Sequence, residues 1–375
     1  MVQLVQIDTS SRREIDRFVR MQFDLYKDDK YWVPPLWSDA RMQLDRKKNP
    51  YYEHSDAQFY VAVKDGRDVG RIALLENRLY NKFRQAHTGF FYLFESIDDL
   101  EVSRALFGRA EEWARGLGYS ELFGPKGFLT MDGFGILVEG FDYLPALAIP
   151  YNYAYYDRLL VDWGFEKFTD VFSCRMDPQR RLDERIYRVA ERVEQRGEFS
   201  IKKFSNKKEM LAMLPALIEA YNHTFINNWE FVPMTQREGD AIIVRLGDIL
   251  DPTLIKFVMK DGEIAGFIIA YPNVGEALQK TGGKLWPFGF IRILRALKTT
   301  KRLDLNGIGV LPKYQGAGST ALMYAEMSRT VSTGRFDFAE LIQVEEKNSK
   351  MQAELTQVLG AELFKKHRLY TKKLV

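Results

Sequence analysis

At 375 residues the chain is too long for one ordinary core and matches two domains of about 150 to 200 residues each. Apolar residues make up 46% and charged residues 28%, which excludes general disorder, and a formal net charge of +3 excludes a surface built throughout for nucleic acid. Cys174 is the one cysteine, so no disulfide framework or C-x-x-C site can form; with no charged-then-apolar leader and no 18-residue apolar run, a cytoplasmic protein is expected.

In chain order, Val5-Gln6-Ile7 followed by Ser10 reads as a strand and a helix N-cap. Residues 59–74 alternate as a hairpin turning at Asp65-Gly66. A-E-E-W-A-R at Ala110 reads as helix, and M-D-G-F-G-I-L-V-E-G-F-D at residues 131–142 as an aperiodic loop. A charged stretch, 177–198, reads as a polar linking helix. Beyond it Ile201-Lys202-Lys203 and Asn206 repeat the opening strand and cap, and residues 255–270 repeat the hairpin motif K-D-G-x-x-x-G. Gly66 matches Gly262 (262 − 66 = 196), and Asn152, twelve residues before Gly164, matches Asn348, twelve before Gly360 (348 − 152 = 196). Three separated anchors sharing one register indicate an internal repeat. Domains are therefore expected at 1–176 and 199–375, with insertions between Phe123 and Tyr151 and between Pro272 and Arg302.

The second insertion has no acid between Glu276 and Asp304. On a helix begun at Pro287, Phe290, Ile293, Leu294 and Leu297 share one face, Arg292, Arg295 and Arg302 lie opposite, and Trp286 stands at its start. Such a helix, in a basic amphipathic insertion expected over 275–302, suits an anionic membrane surface. The other reading is a helix packed on the protein with solvated charges.

The most chemically explicit stretch is D-L-N-G-I-G-V-L-P-K-Y-Q-G-A-G-S-T, an apolar strand ending at Val310, a glycine-bearing turn, and a helix. Consecutive backbone N–H groups at such a turn can cradle a pyrophosphate. It is neither G-x-x-x-x-G-K-[S/T] nor G-x-G-x-x-G after a first strand. It resembles the CoA-binding motif V-x-x-x-x-[Q/R]-x-x-G-x-[G/A] of the GNAT acyltransferase superfamily, with Val310, Gln315 and Gly318 in place and Thr320 departing at the last position. The resemblance implies an α/β (α+β) fold of two tandem GNAT-like domains, each a mixed, mostly antiparallel sheet flanked by helices. It implies acyl-CoA as donor substrate, no permanently bound cofactor and no metal. Ile308, Val310, Gln315, Gly316, Ala317, Gly318, Ser319 and Thr320 would hold the donor, and Asn348 its pantetheine arm. The first half carries E-S-I-D-D-L-E-V-S-R in place of the turn and is read as shaping the substrate pocket.

Acyl transfer to an amine needs a base, an oxyanion donor and an acid for the thiolate. The resemblance implies that a backbone N–H near Val310 serves the oxyanion. Base candidates are Asp304, Glu238, Glu345 and Glu346; acid candidates are Tyr314 and Tyr324. Each is otherwise a surface charge or a packing aromatic. Pocket candidates are Asn228, Trp229 and Glu230 in one loop cluster, and Asp132, Glu139, Asn152 and Tyr156 in the first half. The four histidines show no zinc spacing.

The layout of a tandem pair with this insertion resembles the bacterial ceramide synthase group, which implies a long acyl chain moved onto a sphingoid base at the inner membrane surface. Expected partners are acyl-CoA, an amine acceptor of lipid type and an anionic membrane; nucleic acid is not expected. The alternatives are a small-acyl acetyltransferase, an aminoacyl-tRNA-dependent transferase, and a non-catalytic CoA- or membrane-binding module.

Overall fold

The computed structural model describes residues 1–130, 132–228, 231–247 and 249–374. The chain divides into two compact units. Unit 1 holds Met1–Val171, Gly275–Arg292 and Lys365–Val375, and unit 2 holds Phe172–Val274 and Ile293–Phe364.

Unit 1 begins with β1 (Gln3–Gln6), α1 (Arg12–Leu25) and α2 (Trp37–Met42), followed by β2 (Asp56–Lys64), β3 (Arg67–Glu76), α3 (Arg78–Arg84) and β4 (Thr88–Ser96). It continues through α4 (Leu100–Gly116), β5 (Glu121–Gly124), β6 (Ile136–Glu139), α5 (Tyr156–Asp162) and into β7 (Glu166–Met176). Strands β1 to β4 form an antiparallel meander and β5 lies parallel to β4. The helix α1 is capped by Ser11, whose side chain accepts the Glu14 N–H, and not by Ser10, whose hydroxyl bonds back to Asp8.

Unit 2 runs through α6 (Glu184–Arg196), β8 (Ser200–Lys202), α7 (Lys207–Ala212), α8 (Leu214–Phe225), α9 (Gln236–Gly247), β9 (Ile255–Lys260) and β10 (Glu263–Pro272). Then come α10 (Gly275–Thr281), α11 (Gly289–Thr299), β11 (Arg302–Val310), α12 (Ser319–Val331), β12 (Phe338–Glu345), α13 (Ser349–Ala353) and the last strand, β13 (Glu362–Lys373). The meander β8 to β11 is antiparallel and β12 is parallel to β11, the topology of unit 1 again. Asn206 caps α7 through the Glu209 N–H, as its residue type predicts.

The repeat reaches down to backbone irregularities. Both hairpins turn through two residues of positive φ, Asp65-Gly66 and Asp261-Gly262, the turn whose twist matches paired strands. A bulge skips Val69 in β3 and Ala265 in β10 (265 − 69 = 196). A second falls at Leu93 in β4 and Gly307 in β11, both with positive φ (307 − 93 = 214). The offset grows by 18 because the β10 to β11 connection carries the insertion. Bulges persist where they aim backbone or side chains at a particular place.

The root of that insertion packs within unit 1. Gln279 donates from its amide to the carbonyls of Lys30 and Trp32 (both 2.9 Å), and the Trp37 N–H donates to Gly283 O. The expected amphipathic helix is α11, beginning at Gly289. Arg302 is not on its basic face, because β11 starts there and the guanidinium lies over the Phe338 ring.

The C-terminal strand completes the sheet of unit 1, pairing antiparallel with β5 from Tyr370 to Lys373. Within it His367 is fully buried and donates from Nε2 to Pro150 O (3.0 Å), while Nδ1 has no partner. Burial pulls its pKa down to about 4 from 6.5. The unfolded chain therefore takes up this proton first as pH falls, so the contribution to stability is intact above about 6.5 and is lost progressively toward 4. The loss expected by pH 4 is about 3 kcal/mol from this group. Urea midpoints measured between pH 7.5 and 4.5 should fall more steeply for wild type than for His367→Gln.

Candidate active site

The strand β11 ends at Val310 and the chain turns through a short helical turn, Pro312–Tyr314, before α12. Gln315 ties this turn back, its Nε2 donating to Val310 O (3.2 Å). Gly316 and Gly318 both hold positive φ, 79° and 89°. At Gly316 a Cβ would meet open space, so its backbone conformation alone favours glycine. At Gly318 a Cβ would lie 2.6 Å from Val193 Cγ2 of α6, which packs along α12. The space beside this glycine is therefore taken by the protein's own helix α6.

The helix α12 starts on Gly318 with no side-chain cap, whereas Ser11, Asp99, Asp183 and Asn206 cap α1, α4, α6 and α7. Its first internal bond is Leu322 N–H to Gly318 O, which leaves the N–H groups of Ser319, Thr320 and Ala321 without intrahelical acceptors at the positive end of the helix dipole. Beside this turn Lys313 Nζ and the Tyr314 hydroxyl both bond Glu263, and Gln315, Gly316 and Ala317 are exposed.

The ladder between β11 and β12 runs from Arg302/Phe338 to Leu305/Leu341 and ends there, while β11 stays paired with β10 up to Val310. The two parallel strands thus part over residues 306–310, and the backbone groups of β11 turned away from β10 face the opening. Side chains alternate across the sheet. A Cβ at Gly266, the partner of Val310, would meet Met323 of α12, whereas Phe267 and Gly309 meet Tyr221, Thr224 and Phe225 of α8. Helices α12 and α8 therefore cover opposite faces of unit 2. On the α12 face Ile308, Leu305, Tyr324 and Met327 line an apolar cavity of about 40 Å³.

No protein-family model matches the chain. The fold is similar to that of a tandem GNAT protein from the clavulanic acid biosynthesis pathway, with a TM-score of 0.55 at 12% identity, covering 100% of this chain and 99% of that one. The chain is a tandem GNAT-fold protein. In sequence this tandem GNAT-fold chain is 29% identical to the bacterial ceramide synthase of Caulobacter vibrioides over 380 residues, 98% of this chain and 97% of the relative. It is also 29% identical to the protein YghO of Escherichia coli over 373 residues, 97% and 94% of the two chains.

The tandem GNAT fold sorts the sequence candidates. Asp304 is 1% exposed on the α8 face, and Asn273 Nδ2 donates to both its oxygens (3.0 and 2.9 Å). Glu238 closes a capping box on α9, taking the Thr235 N–H (2.8 Å) while Thr235 Oγ1 takes its own. The carbonyls of Glu345 and Glu346 accept from Gln352 Nε2. Tyr324 is buried, and its hydroxyl donates to Glu354 Oε2 (3.1 Å); burial first, then that carboxylate, hold its pKa far above the usual phenol range. Asn348 is exposed and caps α13 through the Met351 N–H (3.1 Å), which leaves its amide nitrogen as the end that can meet a ligand.

Of the pocket candidates, Trp229 and Glu230 lie outside the described residues, and Asn228 is exposed. The four in unit 1 serve that unit's own loops. Asn152 clamps both backbone groups of Leu137, Asp132 takes the Leu129 N–H, Glu139 pairs with Lys366, and Tyr156 is fully buried. The first three hold the insertion in place, Tyr156 bonds Glu95 and Ser96 of β4, and the four do not converge on an opening. Among the described residues no group of three or more His, Cys, Asp or Glu could hold a metal.

Unit 1 of this tandem GNAT-fold chain closes the equivalent place. Asp99 caps α4 and, with Glu101, is bound by Lys64, which holds both carboxyls below their ordinary range. A negative N-terminus repels an anion. The β4/β5 ladder also ends early, at Phe90/Phe123, but there the Lys126 N–H bonds Phe91 O, so the chain itself fills the gap.

Sequence reasoning missed a further feature. At the position matching Gly309, Glu95 (309 − 95 = 214) is buried with Arg71, Tyr26 and Tyr156. Aligning the halves by strand register, not by the constant offset of 196, reveals this exchange.

Proposed function

We propose that the chain is an acyl-CoA-dependent N-acyltransferase. The observation that carries this reading is the uncapped, doubly left-handed start of α12 beside the parted strands β11 and β12. The N–H groups of Gly316 and of Gly318 to Ala321 would bind the pyrophosphate, and the free edge of β11 with the Asn348 amide would hold the pantetheine arm. In the reaction the acceptor nitrogen attacks the thioester carbon, the C–S bond breaks, the amine gives up one proton and the thiolate gains one, yielding an amide and free CoA. A β11 N–H near Val310 would stabilise the oxyanion. The thiolate would take its proton from water, because Tyr324, which lines the same cavity as Ile308, donates its hydroxyl to Glu354 and is held far above the usual phenol range, too weak an acid for the task. Asp304 lies four residues from Ile308, roughly 13 Å along the strand, too far to take the amine proton directly; water on the α8 face would receive it.

The acceptor is proposed to be a lipid amine of sphingoid type and the acyl chain a long one, at the cytoplasmic face of the membrane. Similarity to the Caulobacter ceramide synthase supports this, as does the surface around α11. Trp286 is 80% exposed, Phe288 68%, Ile291 51% and Leu294 54%, among exposed Arg292, Arg295 and Lys298. This face differs from the expected one: Phe290 is partly exposed, Ile293 and Leu297 are half-buried, and Phe288 and Ile291 take their place. No helix among the described residues is long and apolar enough to cross a membrane, so contact would be interfacial.

Palmitoyl-CoA with sphinganine should release thiol and give the N-acyl product by mass spectrometry, faster than acetyl-CoA with the same amine. No thiol release with any acceptor, despite CoA binding, would leave a CoA-binding module instead. In flotation with phosphatidylglycerol vesicles, Ile291→Asp/Leu294→Asp is expected to remain at the bottom of the gradient. Equal recovery with wild type would sink the membrane reading.

A further inference from the structure

Thr224 stands in α8 with its methyl carbon 2.7 Å from where a Cβ on Gly309 would lie, and the Phe267 ring at 2.8 Å forms the other wall. Gly309 adjoins Val310 on the strand proposed to carry the donor, and it faces α8, the side of the sheet opposite the pyrophosphate turn. The Thr224 hydroxyl is buried and has no hydrogen-bond partner. Among the described residues it is one of eight buried side-chain polar atoms without a hydrogen-bond partner, and it differs from other helical threonines. Thr299, Thr330 and Thr356 each return their hydroxyl to the carbonyl four residues earlier, at 3.0, 2.9 and 2.8 Å. Thr224 has the Ala220 carbonyl in the same helical relation and does not use it. A buried hydroxyl left unpaired is destabilising, and a bound ligand, water or catalytic role is what can offset that cost.

The internal repeat makes the point independently. In unit 1 the matching position is Glu95, opposite Arg71, and its carboxylate is served by Tyr26 and Tyr156, which donate to it (2.7 and 2.8 Å), while Tyr156 also accepts the Ser96 N–H and the Arg71 Nε is left without a partner. The unit without a donor turn fills this place with a charged network. The unit with the turn has glycine, a phenyl ring and one unsatisfied hydroxyl.

Building on the acyltransferase reading above, we propose that Thr224 is the positioning residue for the acceptor: its Oγ1 accepts one N–H of the neutral primary amine as the nitrogen comes against the thioester at Gly309. One amine hydrogen is thereby fixed, and the lone pair is turned toward the acyl carbon across the sheet. The bulge at Gly307 sets the reach, because it shifts the side on which Ile308 and Gly309 present their backbone relative to the rest of β11.

The test compares Thr224→Val and Thr224→Ser with wild type in the full chain, reading donor affinity by titration with palmitoyl-CoA and steady-state transfer to sphinganine. For Thr224→Val the expected result is a fall of about tenfold to a hundredfold in kcat/KM for the amine, the range of one lost hydrogen bond to substrate. Donor affinity should change by less than about twofold, and Thr224→Ser should restore kcat/KM to within about threefold of wild type. Unchanged kcat/KM in Thr224→Val overturns the assignment, and so does a parallel loss of donor affinity or a failure of serine to rescue, either of which indicates packing alone. If wild type itself transfers no acyl group to any amine, the acyltransferase reading fails and this assignment with it; wild-type transfer with a silent Thr224→Val variant overturns the assignment only.

Discussion

Gly318→Val is expected to lose acyl-CoA binding by at least about a hundredfold, as two or more charge-assisted backbone bonds to the pyrophosphate go at once. The same change should lower stability by roughly 2–5 kcal/mol, from a β-branched residue held at positive φ and from overpacking. Both causes are visible: φ is 89°, and the new Cβ would lie 2.6 Å from Val193 Cγ2. Adding Val193→Ala relieves the clash and should recover part of the stability, while the conformational demand of the turn remains. Titration calorimetry and urea midpoints on the single and double variants separate the two. Wild-type affinity in Gly318→Val would mean that the donor binds elsewhere. Affinity restored by Val193→Ala would mean that displacement of α6, not the backbone cradle, had been the cause.

The second large effect lies in unit 1. Arg71 is 1% exposed; it donates to Phe18 O (3.0 Å) and Gln22 Oε1 (2.8 Å) and faces Glu95 at 3.5 Å. Burial raises the Glu95 pKa, and Arg71 with the two tyrosines opposes the rise. Arg71→Met removes the largest opposing charge and is expected to cost about 3–5 kcal/mol, as for any buried ion stripped of its partner. The sign with pH follows. A carboxyl whose folded pKa is raised destabilises the fold as pH climbs through that pKa, so the variant should be closest to wild type near pH 4.5 and furthest from it at pH 7.5. Glu95→Gln in the same background, which keeps an acceptor for Tyr26 and Tyr156, should recover most of the loss at pH 7.5. A variant within about 1 kcal/mol of wild type at both pH values would show that this pair does not hold unit 1 together.

The repeat, both hairpins and the glycine turn before α12 were legible in the sequence because each is written in local terms: strand alternation, Lys-Asp-Gly turns, a cap, and two closely spaced glycines. The register of the 196-residue offset even carried over to the Val69 and Ala265 bulges. The catalytic candidates were less legible. Glu238, Asn152 and Asp132 have the residue types of a site, yet their partners lie on their own caps and loops. Short-range bonding of Asp, Asn and Glu to nearby backbone looks the same in a sequence as a catalytic carboxylate.

Periodicity likewise showed that residues 287–299 form an amphipathic helix and left open which side is free. A hydrophobic stripe says only that one face avoids water. What covers it depends on segments far away in the chain, and the structure half-buries Ile293 and Leu297 while leaving Trp286, Phe288 and Ile291 outside. The same holds at the turn before α12. The sequence by itself determined that glycine stands at 316 and 318 and that a helix follows. Only the tertiary structure decided that Val193 occupies the space beside Gly318, that Thr224 closes on Gly309, and that Glu95 takes the matching place in unit 1. Backbone geometry is set by neighbours along the chain, whereas these contacts arise from helices docked across strands whose register is shifted by bulges.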